Sequence, residues 1–411
     1  MKNTIFVQIA SYRDPELLPT LRDLVKNSKY PQNLKVCIAW QHDIKDKWDN
    51  LDEFKDDDRF EIIDIKHNES KGCCWARNYI QQKYSGEKYT LQLDSHHRFV
   101  KNWDDKLIKM YNKLKKKGHK KPLITGYIPS YEPKNDPKGR AKKAWGMQFD
   151  RFTPEGVVFF LPYWFDKKRK DPVPTRFYSA HFTFTSGKFC EEVPHDPDMY
   201  FHGEEISIAV RAFTNGYDLF HSNELIAWHE YTREGRTKHW DDHKNWTETN
   251  KASHLRMRQL LGVDGEHCAP CVKNSFGVYG LGNERTLEDY QEYAGINFKT
   301  RRIRQSTLDN KIPIHGKKEE PYNKKFKHII DLHSNDFSRN DYTFAAVILE
   351  DKKGNQLYRK DEEGQSFMDK MENDKFFHVH VEANIDIPYK WVVWAYSKQD
   401  TWAEKREGIL V

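Results

Sequence analysis

Asp94-Ser95-His96 closes the apolar run Tyr89-Thr-Leu-Gln-Leu-Asp94. Residues i and i+2 of an extended chain point the same way, so one carboxylate and one imidazole converge while His97 faces elsewhere. An oxygen-plus-imidazole pair suits Mn2+ and similar divalent ions, the Lewis acids that neutralise a diphosphate. A strand-terminal Asp and His with purely local hydrogen bonds is the plainer alternative for so short a pattern. Gly72-Cys-Cys-Trp-Ala-Arg77 opens a helix just before that strand. A helix N-terminus offers free N–H groups to an anion, and Arg77, two turns in, could reach a phosphate bidentately or serve as an ordinary salt-bridge residue. Asp198-Met-Tyr-Phe-His-Gly203-Glu204-Glu205 puts two acids at a Gly-led helix start, where they either complement the helix dipole or contact sugar hydroxyls or the acceptor. Trp228-His229-Glu-Tyr-Thr-Arg233 follows the strand-like Leu225-Ile226-Ala227, and taken alone His229 reads as a loop histidine.

The elements that must position these residues follow from hydrophobic periodicity. Ile5 to Ala10, Leu34 to Trp40, Phe60 to Ile65 and Tyr89 to Asp94 read as buried strands. Leu17, Leu18, Leu21, Leu24 and Val25 fall at helical spacing, and helices are expected over Cys73 to Tyr84 and Trp103 to Lys117. Alternation of strands with helices predicts a mostly parallel sheet covered on both faces, with ligands bound beyond the strands' carboxyl ends. The loops Ser11 to Asp14 and Asp94 to His97 land there. Ser179 to Thr185 reads as a strand, Glu205 to Thr214 as a helix, and 230–310 as polar and irregular. Around 311–325 Lys, Glu, Pro and Gly suggest a linker, and alternation in 326–411 suggests a small β-rich domain. The expected organisation is a catalytic domain over 1–310, a linker over 311–325 and an accessory β domain over 326–411.

These pieces, in this order, resemble the cytoplasmic UDP-GlcNAc:polypeptide N-acetylglucosaminyltransferases that modify hydroxyproline, glycosyltransferase family 60, which are related to the polypeptide GalNAc-transferases. The resemblance spans roughly residues 4–300 and is carried by Ile9-Ala-Ser-Tyr-Arg-Asp-Pro-Glu-Leu17, Gly72 to Arg77, Leu91 to Phe99, Phe201-His-Gly-Glu-Glu-Ile206 and Arg285 to Tyr290. It implies a GT-A fold, a Rossmann-like nucleotide-sugar domain. It further implies that Asp94, His96 and His229 bind the metal, Mn2+ or alternatively Mg2+, with Asp94 and Glu204 in the catalytic set. Ala10, Ser11, Tyr12 and Arg13 would lie at the uridine, Arg77 and Ser95 would face the nucleotide, and Arg233 and Arg236 would close over the diphosphate. The chain carries Phe201-His202-Gly203 where the GalNAc enzymes have Trp-Gly-Gly. The implied activity is metal-dependent, retaining transfer of GlcNAc from UDP-GlcNAc to a polypeptide hydroxyl, on Ser/Thr or hydroxyproline. Two alternatives stay open: a transferase acting on a glycan or a hydroxymethylated DNA base, and a non-catalytic nucleotide-sugar-binding protein.

Composition narrows the classes. The 411 residues carry 68 Lys+Arg against 62 Asp+Glu, and 37% are hydrophobic, a soluble balance with a polar surface. No apolar run approaches the ~18 residues of a membrane span. Arg13, Asp14 and Glu16 interrupt any signal peptide. Six cysteines are too few for a disulfide framework, so a reduced, cytoplasmic setting is expected. Residues 311–411 hold 17 basic and 18 acidic side chains, leaving 51 and 44, or +7, for residues 1–310. Lys101 to Lys143 alone contribute 14 basic against 4 acidic. Aromatics are not interleaved with these lysines as single-stranded nucleic acid would need, and Leu107, Ile108, Tyr111 and Leu114 make one apolar stripe. A solvated face or a dock for an acidic acceptor is favoured over nucleic acid.

Weaker patterns remain. His267-Cys-Ala-Pro-Cys271 lacks the second pair of a zinc site, and Cys73-Cys74 read as packing residues. His239 and His243 could bind a metal if helical, but a mobile loop or solvated helix end is the favoured reading. Gly277 to Gly282 lacks the spacing and context of a dinucleotide fingerprint. Trp391, Trp394 and Trp402 are either core or a stacking platform for carbohydrate or protein.

Overall fold

Largely apolar runs, with buried polar residues such as Gln8, Thr90 and Gln92 among them, build the centre of the molecule. The computed structural model describes residues 3–153, 155–165, 169–232, 235–265, 276–316, 321–338 and 341–410. The first half runs β1 (Ile5–Tyr12), α1 (Leu17–Asn27), β2 (Leu34–His42), β3 (Phe60–Lys66), α2 (Cys73–Gln81), β4 (Tyr89–Asp94), β5 (His97–Phe99), α3 (Trp103–Lys116) and β6 (Lys121–Thr125). A hairpin of β7 (Trp145–Phe152) and β8 (Val158–Trp164) follows, then β9 (Val173–Pro174), β10 (Phe182–Ser186), α4 (Phe189–Glu192), α5 (Glu204–Thr214), β11 (Tyr217–His221), β12 (Ala227–His229), α6 (His239–Asp242) and α7 (Trp246–Leu261).

An eight-stranded sheet has the order β3-β2-β1-β4-β10-β6-β11-β9. Strands β1 to β4 are mutually parallel, as the strand–helix alternation predicts. β10 differs: it runs antiparallel between β4 and β6, because the chain reaches it from the β7–β8 excursion rather than through a crossover helix. Helices cover both faces. Leu17, Leu21 and Leu24 of α1 and Leu107, Ile108, Tyr111 and Leu114 of α3 pack on one face, while Ile206, Ala209 and Phe213 of α5 lie in a second cluster. Ala76 and Ile80 of α2 close a third, smaller cluster over β1 and β2. The polar Gln8 in the middle of β1 is accommodated because its amide donates to Thr90 Oγ1 at 2.7 Å.

Toward the C-terminus, Lys325–Leu332 pairs antiparallel with Phe377–Asn384. A four-stranded antiparallel sheet follows the order Gln356–Glu362, Tyr342–Glu350, Lys390–Ser397, Thr401–Ile409. Met368 and Met371 from the helix Gln365–Asn373 fill the core against Val347, Leu349 and Val393. The mixed α/β sheet with further β-rich sheets behind it is the expected class. Trp391 packs against that core, whereas Trp394 and Trp402 cluster with Phe344 on the opposite face. Part of the segment expected as a linker is structured, for Tyr322–Asn323 pairs with Arg302–Arg304. Residues 230–310, expected to be irregular, contain the 16-residue α7 and the helix Leu287–Ala294. Among the described residues no helix is long and apolar enough to cross a membrane.

Candidate active site

The carboxyl end of β4 turns through Ser95 and His96 into β5, and β12 pairs antiparallel with β5 so that His229 stands opposite His97. This pairing delivers a residue 135 positions away to Asp94: His229 Nε2 lies 3.3 Å from Asp94 Oδ2. His96 Nε2 lies 3.7 Å from the same oxygen. Ligand atoms from all three side chains lie within 4.8 Å of one another. Behind them, the fully buried Asp14 meets His96 Nδ1 at 2.6 Å, accepts from Ser95 Oγ at 2.6 Å and accepts from Arg236 at 3.1 Å. Asp14 and the Arg236 guanidinium both reach Nδ1, which leaves Nε2 as the nitrogen that faces Asp94 and could ligate. Burial lowers the His229 pKa well below its ordinary value, and the neighbouring imidazoles His181 and His96 add to this. A neutral imidazole is the form that ligates a metal. One carboxylate oxygen and two imidazole nitrogens, with a second-layer carboxylate in place, fit a divalent transition ion.

Arg77 is buried and spans two acids. Its guanidinium donates to Asp94 Oδ1 at 2.6 Å and, through Nη1, to both oxygens of Glu204 at 2.6 Å. It therefore ties the end of β4 to the start of α5. Burial would raise the Asp94 carboxyl, but the hydrogen bond with His229 and the charge of Arg77 hold it well below the ordinary range. Glu204 behaves alike: burial is outweighed by Arg77, and the carboxyl comes down to about 2. Its neighbour Glu205 goes the other way. Burial, reinforced by the charge of Glu204, pushes it up to about 7 although it accepts the backbone N–H of Ala180 at 3.0 Å. Tyr127 approaches its other oxygen at 3.4 Å.

These groups line a cavity of about 590 Å³. Ala10 and Tyr12 contribute from the end of β1, Val158 to Phe160 from the hairpin, and Arg236 to Trp240 from the segment around α6. The first residues of α2 and α5 also face it, so two helix N-termini point at the same space. Both helices begin at glycines with positive φ, Gly72 at +112° and Gly203 at +95°. At Gly72 a Cβ would stand 2.8 Å from the Tyr200 ring.

The expected donor loop divides. Ala10 and Tyr12 line the cavity, but Ser11 is fully buried and outside the lining. Arg13 turns away to Asp46 at 2.7 Å and Asp242 at 2.9 Å. Arg77, Ser95, Glu204 and Arg236 line the cavity beside the Asp94, His96 and His229 cluster. Arg233 and the His267–Cys271 pattern lie outside the described residues. His239 and His243 stack at 3.9 Å, and their ring nitrogens face Tyr200, Ser70 and His67. Asp14 stood in the noticed loop Ser11 to Asp14, yet its partnership with His96 has no local signal. His181, stacked 4.3 Å from His229, sits within a strand-like run and was equally silent.

A protein-family model described as Glycosyltransferase (GlcNAc) matches residues 4–60 and 47–300, well over half the chain. No curated protein sequence matches the chain. Among solved structures, GalNAc-T7 with UDP, GalNAc and Mn2+ is similar at 12% identity and a TM-score of 0.49, covering 99% of this chain and 72% of that one. The 1–349 fragment of TarS from S. aureus gives 10% identity and a TM-score of 0.39, covering 55% of this chain and 60% of that one, so less than two thirds of its length. The mannosyltransferase PcManGT from Pyrobaculum calidifontis, with GDP-Man and Mn2+, gives 13% and 0.36, covering 56% of this chain and 58% of that one.

Proposed function

Because the chain belongs to the GlcNAc glycosyltransferase family, we propose that it is a metal-dependent, retaining transferase of the GT-A type that moves GlcNAc from UDP-GlcNAc to a polypeptide hydroxyl, on Ser/Thr or hydroxyproline. The convergence of Asp94, His96 and His229 on one wall of a cavity of about 590 Å³ carries this reading. That volume lies in the range that encloses a ligand of nucleotide-sugar size. Asp94, His96 and His229 would hold a divalent ion, Mn2+ in this reading, which when bound neutralises charge on the diphosphate leaving group.

The chain's own groups supply the rest. The N-termini of α2 and α5 favour negative charge in the cavity. Ala10 and Tyr12, which line the cavity, would bind the uridine end, and Arg236 the diphosphate. Glu204, fixed by Arg77, presents a permanent carboxylate to the donor sugar or the acceptor. In the reaction the bond from sugar C1 to the diphosphate oxygen breaks and the acceptor oxygen bonds to C1. With retention, the hydroxyl proton passes to the departing phosphate oxygen. Glu205 favours a second reading: a carboxyl near 7 suits a general base, which an inverting transfer requires.

A screen of UDP-sugars for UDP release in Mn2+ tests the proposal. UDP-GlcNAc should be turned over, and Asp94→Ala should lower the rate by about a hundredfold or more. Undiminished release from that variant would remove the metal assignment. NMR of the product's anomeric proton separates the two readings, since an α-linkage means retention and a β-linkage points to Glu205 as base. The described cysteines Cys37, Cys73, Cys74 and Cys190 are free thiols, which supports a cytoplasmic setting.

A further inference from the structure

His195 sits in the turn between α4 and α5 and is fully buried. α2 holds its backbone: its N–H donates to Gln81 Oε1 at 2.7 Å, and its carbonyl accepts from Asn78 Nδ2 at 2.8 Å. The ring is held from one side only. Nε2 lies 2.6 Å from Gln92 Oε1, and the Gln92 amide is oriented because its own Nε2 donates to the Ala180 carbonyl at 2.7 Å. Gln92 therefore presents an acceptor, and His195 Nε2 carries the hydrogen. Burial lowers the pKa of the ring, so it stays neutral and Nδ1 is a bare lone pair. That nitrogen has no hydrogen-bond partner, although it stands 2.8 Å from Glu204 Oε1. Two unprotonated acceptors so placed repel each other, and a cation between them removes the repulsion.

A third donor atom completes the set. Cys74, the second residue of α2, is fully buried, and its Sγ, His195 Nδ1 and a carboxylate oxygen of Glu204 all lie within 4.8 Å of one another. We propose that Cys74, His195 and Glu204 form a second metal site, which takes Zn2+ and ties the start of α2 to the start of α5. Sulfur, imidazole nitrogen and carboxylate oxygen are the ligand types of zinc, whereas the sulfur-free set of Asp94, His96 and His229 suits Mn2+. At zinc bond lengths tetrahedral ligand atoms stand about 3.3–3.7 Å apart, so a shift of about half an ångström between Nδ1 and Oε1 admits the ion. The Nε2 hydrogen bond to Gln92 is the outer-layer partner that ligating histidines carry. Burial raises the Cys74 thiol well above its ordinary range, so the incoming ion displaces that proton, and the N-terminal end of α2 favours the thiolate that remains. Arg77 is shared between Asp94 and Glu204, and the two acids leave one negative charge for the ion to meet. Glu204 lines the cavity, so the ion enters, and a water completes its coordination, from that side.

Cobalt reports the sulfur directly. Co2+ added to the metal-free, reduced full chain should produce the near-ultraviolet absorption of a cobalt–thiolate bond, which the Asp94, His96 and His229 set has no sulfur to give. Excess Zn2+ should abolish it. Cys74→Ala should lose the band, while the double variant Cys268→Ser/Cys271→Ser should keep it. Absence of the band from the wild-type chain, its persistence in Cys74→Ala, or its loss with Cys268 and Cys271 would each overturn the proposal. The site goes beyond the transferase reading and fails separately from it: a chain that shows the band but releases UDP from no donor would defeat that reading and leave the zinc site standing.

Discussion

Glu204 and Glu205 are adjacent in sequence yet shift in opposite directions, Glu204 down to about 2 and Glu205 up to about 7. Glu204 is paid back for its burial by Arg77, while Glu205 has only a backbone N–H and the distant Tyr127 hydroxyl. The difference has a stability consequence. Glu205 titrates near 7 in the folded chain against an ordinary 4.5, so the native state binds its proton more tightly than the unfolded state. Its contribution is therefore fully present below pH 4.5 and is lost as pH rises to about 7, by at most roughly 3 kcal/mol before screening by cavity water. Glu205→Gln lacks this slope. In urea unfolding of metal-free protein the variant should gain on the wild type between those pH values and hold its advantage above them. Parallel stability profiles would show that Glu205 ionises freely. Neither acid's state was legible in the sequence, because Gly-Glu-Glu before an apolar helix reads the same whichever acid meets the arginine. Asp94 and His96 were legible because strand geometry alone converges them; Asp14 was not, since it meets His96 only through packing of distant elements.

At the scale of elements, α2 must start at Gly72 because the φ of +112° and the Tyr200 ring both exclude a side chain. Tyr200 in turn meets His239 Nδ1 at 2.7 Å, at the first residue of α6. Gly72→Ala should thus cost the roughly 1–3 kcal/mol of a backbone region open essentially to glycine, plus the displacement of Tyr200. Gly86 is the control: its φ is +99° but a Cβ there meets nothing within 4 Å. In urea denaturation Gly72→Ala should lose more stability than Gly86→Ala, and it alone should raise donor KM. Equal losses would mean that Tyr200 gives way freely. The same scale explains what periodicity found and missed. β1, β2 and β4 are buried on both faces and read as largely apolar runs despite Gln8 and Gln92. α7 escaped because its buried side are Ser253, His254, Met257, Leu260 and Leu261, too polar for an apolar stripe. The antiparallel insertion of β10 depends on pairing over long separations, which no local pattern encodes.

For the whole molecule, the arginines around the cavity are each held by acids, so the surplus positive charge of the first 310 residues lies outside them. Arg13 is held by Asp46 and Asp242, Arg77 by Asp94 and Glu204, and Arg236 by Asp14 and Glu230. Even in the lysine-rich stretch, Lys113 and Lys117 hold Asp171 while Lys106 holds Glu224. Such pairing suits a surface for solvent better than a track for a polyanion. The C-terminal sheets are joined to this body by polar contacts: Lys327 meets Asp150, Arg302 meets Asp386 at 2.8 Å, and Arg301 donates to the Leu410 carbonyl at 3.0 Å. The cavity, by contrast, is lined from Ala10 to Trp240 and takes nothing from those sheets. Deleting residues 321–411 should accordingly lower Tm, by about 5 °C or more, because the contacts of Asp150, Arg301 and Arg302 with those sheets are lost. Donor KM in UDP-release assays should stay within about twofold, as expected for sites that share no partners. An unchanged Tm with a tenfold weaker donor would instead make the C-terminal sheets part of the donor site, and would require the cavity to close against them during turnover.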